Sequence, residues 1–266
     1  MSETNTTVRG CAIDWERRDD GNDVDLVWGH GLTQSRELED RRSLIEWGDI
    51  AARVLRYDAR GHGRSESTPD LDGYGWDELA RDQLALADAV GIDHYVAAGA
   101  SMGAATALHA AVIAPDQILG LVLVIPPTGW ETRAEQVAVY EQGAALVAEH
   151  GVEPLIRAGA AVPPPDPLVG DPEYRAIRAA ALRSWDPQRL ALAMRGATRA
   201  QLPTRDRITS IGCPCLVLAW SGDPGHPVST AEELATLLPH ADVRVASTAG
   251  EMATWSSTIG EFVDRI

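Results

Sequence analysis

Apolar residues along this chain change their rhythm twice. Through the first half, short apolar runs alternate with segments whose apolar positions recur at helical spacing, the signature of strand–helix–strand units and a parallel sheet. "DVDLVWGHG" (23–31) and "ARVLRYDARGHGRS" (52–65) each read as a strand that ends in a glycine turn. "WDELARDQLALADAVGI" (76–92) reads as a helix and "HYVAAGASMG" (94–103) as a strand running into a turn. "GAATALHAAVIAP" (103–115) is a helix stopped by proline. "ILGLVLVIPP" (118–127) is apolar without a break, as expected of a strand covered on both faces.

After Pro126-Pro127 the pattern turns to helix after helix. Thr132 and Glu135 have the spacing of a capping box, and Gly151 ends the helix they open. "DPEYRAIRAAALRSW" (171–185) and "DPQRLALAMRGATRAQ" (186–201) each begin with an aspartate cap followed by proline in the first helical turn. The sheet pattern then resumes: strand "CPCLVLAWSGD" (213–223), helix "STAEELATLL" (229–238), strand "ADVRVAS" (241–247) and a last helix near "TIGEFVDRI" (258–266). The fold class predicted is α/β, with a mostly parallel eight-stranded sheet carrying helices on both faces. Residues 1–127 and 208–266 form its core. Residues 128–207 form a helical insertion, expected to act as a lid over the carboxyl ends of the strands, where such sheets bind ligands.

Charge and composition narrow the partners. A net charge of −16 argues against nucleic acid or an anionic membrane surface, since both demand clustered cations. All 23 basic residues are arginine, which removes Schiff-base chemistry and a P-loop lysine. No apolar run reaches the roughly 18 residues needed to span a bilayer, and "MSETNTTVRG" lacks the pattern of a secretory signal. Three cysteines build no disulfide framework and read as small core residues in a reducing cytosol, so a cytoplasmic protein is expected. No G-x-G-x-x-G follows a strand and no His/Asp/Glu spacing matches a metal set, so neither cofactor nor metal is expected. The expected partner is a small-molecule substrate, and a homo-oligomer is left open.

"GASMG" (99–103) is where chemistry enters. It fits G-x-S-x-G, and Ser101 sits between the strand "YVAAG" and the helix that follows. That is the strand–turn–helix elbow whose glycines permit a tight turn and expose the serine oxygen. "GHGL" (29–32) ends the neighbouring strand. With no side chain at Gly31, the Leu32 amide can point at the same spot as the Met102 amide, and two such donors would hold the negative oxygen of a tetrahedral intermediate. His30 is placed by its neighbours on that oxyanion side, where it fixes the loop.

His30-Gly31, "DARGHGRS" (58–65), "GASMG", "PDQILGLVLV" (115–124) and "GDPGHP" (222–227) occur in the order and spacing of the α/β-hydrolase superfamily. The chain resembles its smaller lid-bearing members, of the esterase, lactonase and enol-lactonase type. The resemblance implies an α/β-hydrolase fold, a serine nucleophile, a structural role for His62, and an orienting aspartate after the penultimate strand. That aspartate is Asp223, because the other position used in the family holds Pro126, Pro127 and Thr128. The resemblance also implies a histidine after the last strand. Here "TAGEMATW" (248–255) has Glu251 at that place, and no histidine lies beyond His240.

Three answers to the missing base stay open. His226, three residues past Asp223, has an imidazole that titrates near neutrality. Glu251 becomes a base only if burial or a neighbouring carboxylate raises it from about 4.3. Failing both, Ser101 is inert and the fold binds a ligand without turnover. The expectation is a serine-dependent hydrolase of a small or medium apolar ester, lactone or thioester, suggested by Trp130, Tyr140, Tyr174 and Trp185 in the insertion and by Trp220 and Trp255 beside the site. An inactive binding relative, or a cofactor-free lyase, cyclase or oxygenase, is the alternative.

Overall fold

The computed structural model describes residues 4–20, 22–41 and 44–266. Its strands are β1 (Thr4–Val8), β2 (Cys11–Asp20), β3 (Asp25–Gly29), β4 (Ala52–Tyr57), β5 (Tyr95–Ala100), β6 (Ile118–Val124), β7 (Cys215–Trp220) and β8 (Ala241–Ala246). They form one eight-stranded sheet in the order β1-β2-β4-β3-β5-β6-β7-β8. β1 and β2 pair antiparallel, as do β2 and β4; every other neighbouring pair is parallel.

Before β5 lie helices α1 (Arg36–Arg41) and α2 (Trp76–Ala89), and α3 (Met102–Ile113) follows it. Between β6 and β7 the regular elements are helical: α4 (Arg133–His150), α5 (Glu153–Ala160), α6 (Tyr174–Arg183), α7 (Pro187–Arg199), α8 (Arg205–Thr209) and two single 3-10 turns. The chain closes with α9 (Val228–Leu237), α10 (Ala249–Met252) and α11 (Trp255–Val263). No helix among the described residues is long and apolar enough to cross a membrane.

The unbroken apolar run of β6 has the cause its sequence suggests. Successive strand residues point to opposite faces. Leu121 and Leu123 join the cluster built with α2, α3 and α9, while Val122 and Val124 join the one built with Trp255, Ile259 and Phe262 of α11. β7 divides the same way, Val217 to the first face and Leu216 and Leu218 to the second. The helical segment also has a small apolar centre of its own, in which Ala144 and Val147 of α4 meet Leu182, Leu190 and Met194.

Three local expectations change. The β1–β2 hairpin was not foreseen, and its turn residues Arg9 (φ 48°) and Gly10 (φ 74°) are both left-handed, as a two-residue hairpin turn requires. The capping box at Thr132 and Glu135 does not form. Residues 130–132 already wind as a 3-10 turn, so Thr132 is helical and its hydroxyl donates back to the Gly129 carbonyl at 2.9 Å. Asp186 caps α7 as expected by accepting the Arg189 amide at 2.9 Å. Asp171 accepts the Glu173 and Tyr174 amides, so α6 starts two residues beyond Pro172.

Candidate active site

Ser101 ends β5 and opens α3 with φ 53° and ψ −109°, a conformation L-residues rarely hold. Its amide is tied to the Val124 carbonyl (2.9 Å), and its carbonyl accepts the Ala105 amide (3.0 Å), so strand and helix both grip the turn. The flanking glycines are required by contact. A Cβ at Gly103 would run into the Gly29 carbonyl, and one at Gly99 would lie 2.6 Å from that same oxygen. β3, β5 and α3 therefore meet with only backbone between them, which pushes the serine side chain out beyond the strand ends.

His226 meets that serine. Its Nε2 lies 2.8 Å from Ser101 Oγ and its Nδ1 lies 2.7 Å from Asp223 Oδ2. An ionised carboxylate only accepts, so Nδ1 carries the proton and Nε2 presents its lone pair to the hydroxyl. Burial pushes the Asp223 carboxyl up. The hydrogen bond and charge of His226, the Gly225 amide and the Trp220 indole outweigh it and hold the pKa at about 2. The indole donates to Oδ2 at 3.0 Å and the Gly225 amide to Oδ1 at 2.9 Å.

Three residues suffice to set Asp223 and His226 in line because they close a turn. The His226 amide donates to the Asp223 carbonyl at 3.1 Å, which brings the first and fourth residues of the turn side by side. Pro224, the turn's second residue, and Pro227, just past it, restrict φ there. The turn is braced from the helical segment by the Thr128 amide, which donates to the Gly225 carbonyl at 3.3 Å. Nothing in the sequence marked Thr128 for this.

Glu251 goes elsewhere. It is exposed, and its Oε2 accepts the amides of Ser247 (2.7 Å) and Thr248 (3.0 Å), while Thr248 Oγ1 accepts the Glu251 amide. Those hydrogen bonds lower its pKa. The raised carboxylate that a Glu251 base needs is therefore absent: the residue closes a capping box on α10.

On the other side of Ser101, a Cβ built on Gly31 would lie 3.7 Å from Ser101 Cβ, so the "GHGL" backbone passes against the serine. Among the described residues, neither the Leu32 nor the Met102 amide donates to another group. His30 sets the first peptide of this loop. Its Nε2 accepts the Ala59 amide (3.0 Å), so Nδ1 is the protonated nitrogen and donates to the Gly31 carbonyl (2.8 Å). Burial lowers the His30 pKa, against the nearby Asp58 charge, and the ring stays neutral. The Ser101 hydroxyl therefore has the His226 imidazole against it and the "GHGL" backbone passing close by.

The other aromatic candidates divide. Trp185 lies against the "GHGL" loop, and Trp220 holds Asp223 with Trp255 packed on it, ring centroids 6.1 Å apart. Tyr140 packs on the buried Arg133 guanidinium, and Trp130 stacks under Arg205 while bonding the Pro203 carbonyl. Tyr174 packs on the α11 face of the sheet.

Residues 26–265 match the alpha/beta hydrolase family, and the chain belongs to it. Over 89 residues, 31% of this chain, it is 46% identical to the N-formylmaleamate deformylase of Pseudomonas putida, a match that spans 33% of the deformylase. The enol-lactonase from Burkholderia xenovorans LB400 superposes with a TM-score of 0.74 at 21% identity, covering 98% of this chain and 97% of that one. A thermophilic esterase from Thermogutta terrifontis superposes with a TM-score of 0.77 at 22% identity, covering 99% and 97%.

Proposed function

We propose that this hydrolase is a serine enzyme acting on small or medium apolar acyl compounds (esters, lactones or thioesters), with Ser101 as nucleophile and His226 as its base. The observation that carries this reading is the continuous line from Asp223 through His226 to Ser101, at 2.7 and 2.8 Å. Ser101 Oγ attacks the acyl carbon as its proton passes to His226 Nε2, and the carbonyl oxygen becomes an oxyanion held by the Leu32 and Met102 amides. When the tetrahedral adduct collapses, the leaving group takes the proton from His226 and the acyl group stays on Ser101. Water then repeats the sequence: it loses a proton to Nε2, attacks the acyl carbon and releases the acid with Ser101 restored. Asp223 stabilises the imidazolium in both halves and keeps Nδ1 protonated. Residues 128–207 serve as the lid, since α7 and the turn before it lie on the loops that leave β3 and β4.

A second reading, an acyl–nitrogen substrate, is favoured by the stretch of 46% identity to a deformylase. The chemistry of Ser101 is the same for both, and only the leaving group differs. Turnover of p-nitrophenyl acetate and butyrate, alongside an N-formyl amide of a small carboxylic acid, tests both readings. Ser101→Ala should abolish turnover of whichever substrate is accepted. Retention of full turnover in Ser101→Ala would overturn the serine mechanism for both.

A further inference from the structure

Trp185 stands in the connection between α6 and α7, far along the chain from the proposed oxyanion donors, yet it bonds their loop. Its Nε1 donates to the Thr33 carbonyl at 3.2 Å. Its ring meets the His62 imidazole edge-on, with centroids 5.2 Å apart. His62 in turn sets Nε2 2.9 Å from the Leu32 carbonyl and Nδ1 2.8 Å from the Arg60 carbonyl. Burial, with His30 beside it, drives the His62 pKa down to about 3, so the ring is neutral and donates to one of these two carbonyls at a time.

Three successive carbonyls of the loop, Gly31, Leu32 and Thr33, thus each face a ring nitrogen. The first ring comes from the end of β3, the second from the loop after β4, and the third from the helical insertion. Each peptide unit is a rigid plane joined to the next by two soft torsions, so holding consecutive carbonyls fixes where the amides between them point. The Leu32 amide belongs to the plane held by His30. The Gln34 amide holds that plane too, donating to the Gly31 carbonyl at 3.0 Å, and the Trp185 bond sets the peptide plane two further on in the same turn.

The helical segment has a second hold on the same neighbourhood. Arg189 of α7 donates to the Gly63 (3.2 Å) and Ser65 (2.8 Å) carbonyls, both just past His62 in the same loop. A cavity of about 160 Å³, lined by Ser35, Gly63, Trp185 and Arg189 among others, opens beside these two holds. The insertion therefore grips the loop through discrete hydrogen bonds as well as through the ring contact with His62, and only the indole N–H supplies a donor to the Thr33 carbonyl.

We propose that Trp185 is a positioning residue: its indole N–H, carried by the helical insertion, keeps the Leu32 amide aimed at the oxyanion that forms on Ser101. This rests on the serine-hydrolase reading above. Binding energy delivered only as the oxyanion develops appears in kcat and leaves KM alone, so the role has a kinetic signature.

Trp185→Phe keeps a ring against His62 and removes the donor. With a p-nitrophenyl ester, kcat should fall about tenfold while KM changes less than about twofold, a loss smaller than deleting an oxyanion donor outright. An aryl trifluoromethyl ketone, which adds to the serine and places an oxyanion in the hole, should lose affinity by a similar factor, while a neutral substrate-shaped competitor should not. Trp185→His, with a ring N–H in reach, should retain more kcat than Trp185→Leu, which settles the matter should the phenylalanine variant fold poorly. Unchanged kcat and ketone affinity in Trp185→Phe, or equal losses in the histidine and leucine variants, would overturn the proposal. A Ser101→Ala variant run in parallel separates the two readings. If it keeps full turnover, the serine mechanism itself falls; if it is dead while Trp185→Phe is unimpaired, only the role of Trp185 falls.

Discussion

The turns after β7 and β8 leave neighbouring strands at the same edge of the sheet and use their polar residues in opposite ways. After β7, four residues fold Asp223 and His226 onto each other and project the imidazole at Ser101. After β8, Glu251 is of a type able to take a proton, but its carboxylate turns back onto the amides of Ser247 and Thr248 and serves the start of α10. The difference lies in where the backbone hydrogen bonds go. The turn at 223–226 satisfies itself through the Asp223 carbonyl and side chain, which leaves the imidazole free to reach out. The α10 end consumes its carboxylate as a cap, because the first amides of a helix have no partner within it. A side chain committed to a helix end is held away from chemistry.

Substitutions at the two turns should separate them most widely. His226→Gln should lower kcat for an aryl ester by on the order of 10⁴ or more, the scale of losing the base in a serine relay. Glu251→Gln should leave kcat within about twofold and lower the melting temperature slightly. Adding Glu251→His to His226→Gln should not restore turnover, since residue 251 points back into its own turn. Steady-state kinetics on these three proteins would break the comparison if the glutamate variant were the inactive one. Next in size, Asp223→Asn should cost on the order of 10³–10⁴ in kcat, because an amide no longer selects the Nδ1-protonated ring. Trp220→Phe removes one donor to the same carboxylate and should cost about tenfold, as losses of supporting hydrogen bonds commonly do.

The smallest effects concern pH and stability, and they come from buried groups outside both turns, His62 in the loop after β4 and Glu39 in α1. Buried His62 stays neutral in the folded protein down to about pH 3, whereas the unfolded chain takes up that proton near 6.5. The unfolded state binds more protons across that window, so stability should fall as pH drops from about 6.5 to about 3. Glu39 carries the opposite sign. Burial raises its carboxyl to about 7, against the lowering by Arg56 and by the Trp28 indole that donates to it at 3.0 Å. Here the folded state binds the extra proton, so stability is complete below about 4.5 and declines as pH rises through about 7. Glu39→Gln keeps an acceptor for the indole and should raise the melting temperature relative to wild type at pH 8, by more than at pH 5. Equal shifts at both values would show that Glu39 does not carry that proton.

Much of this architecture is legible in the residues. The parallel strands announce themselves because burial on both faces leaves unbroken apolar runs, and Ser101 because its elbow needs glycines where other elements touch it. The β1–β2 hairpin does not. β2, "CAIDWERRDD", spends its charges on ion pairs such as Arg17 with Asp25 and so lacks a clean alternation, and Arg9-Gly10 is not a familiar hairpin dipeptide. At the candidate site, the family resemblance singles out Asp223 and leaves His226 as one of three answers; that the two align depends on a turn whose brace comes from Thr128. His62 and Trp185 act on the Leu32 loop across 30 residues and about 150 residues of sequence, and contacts of that range leave no local pattern to read.

Because Asp223 and His226 share one turn, every side chain of the proposed relay has been translated once residue 226 has been added. β8, α10 and α11 then act as a splint, with Trp255 of α11 backing the Trp220 that holds Asp223. Residues 247–250, which join β8 to the first turn of α10, are all exposed, and the chain can be broken there. An enzyme whose base followed β8 would lose that base with the severed piece. Here a fragment ending at Ala249 should be inert only for want of support, and adding the peptide 250–266 in trans should bring ester turnover back.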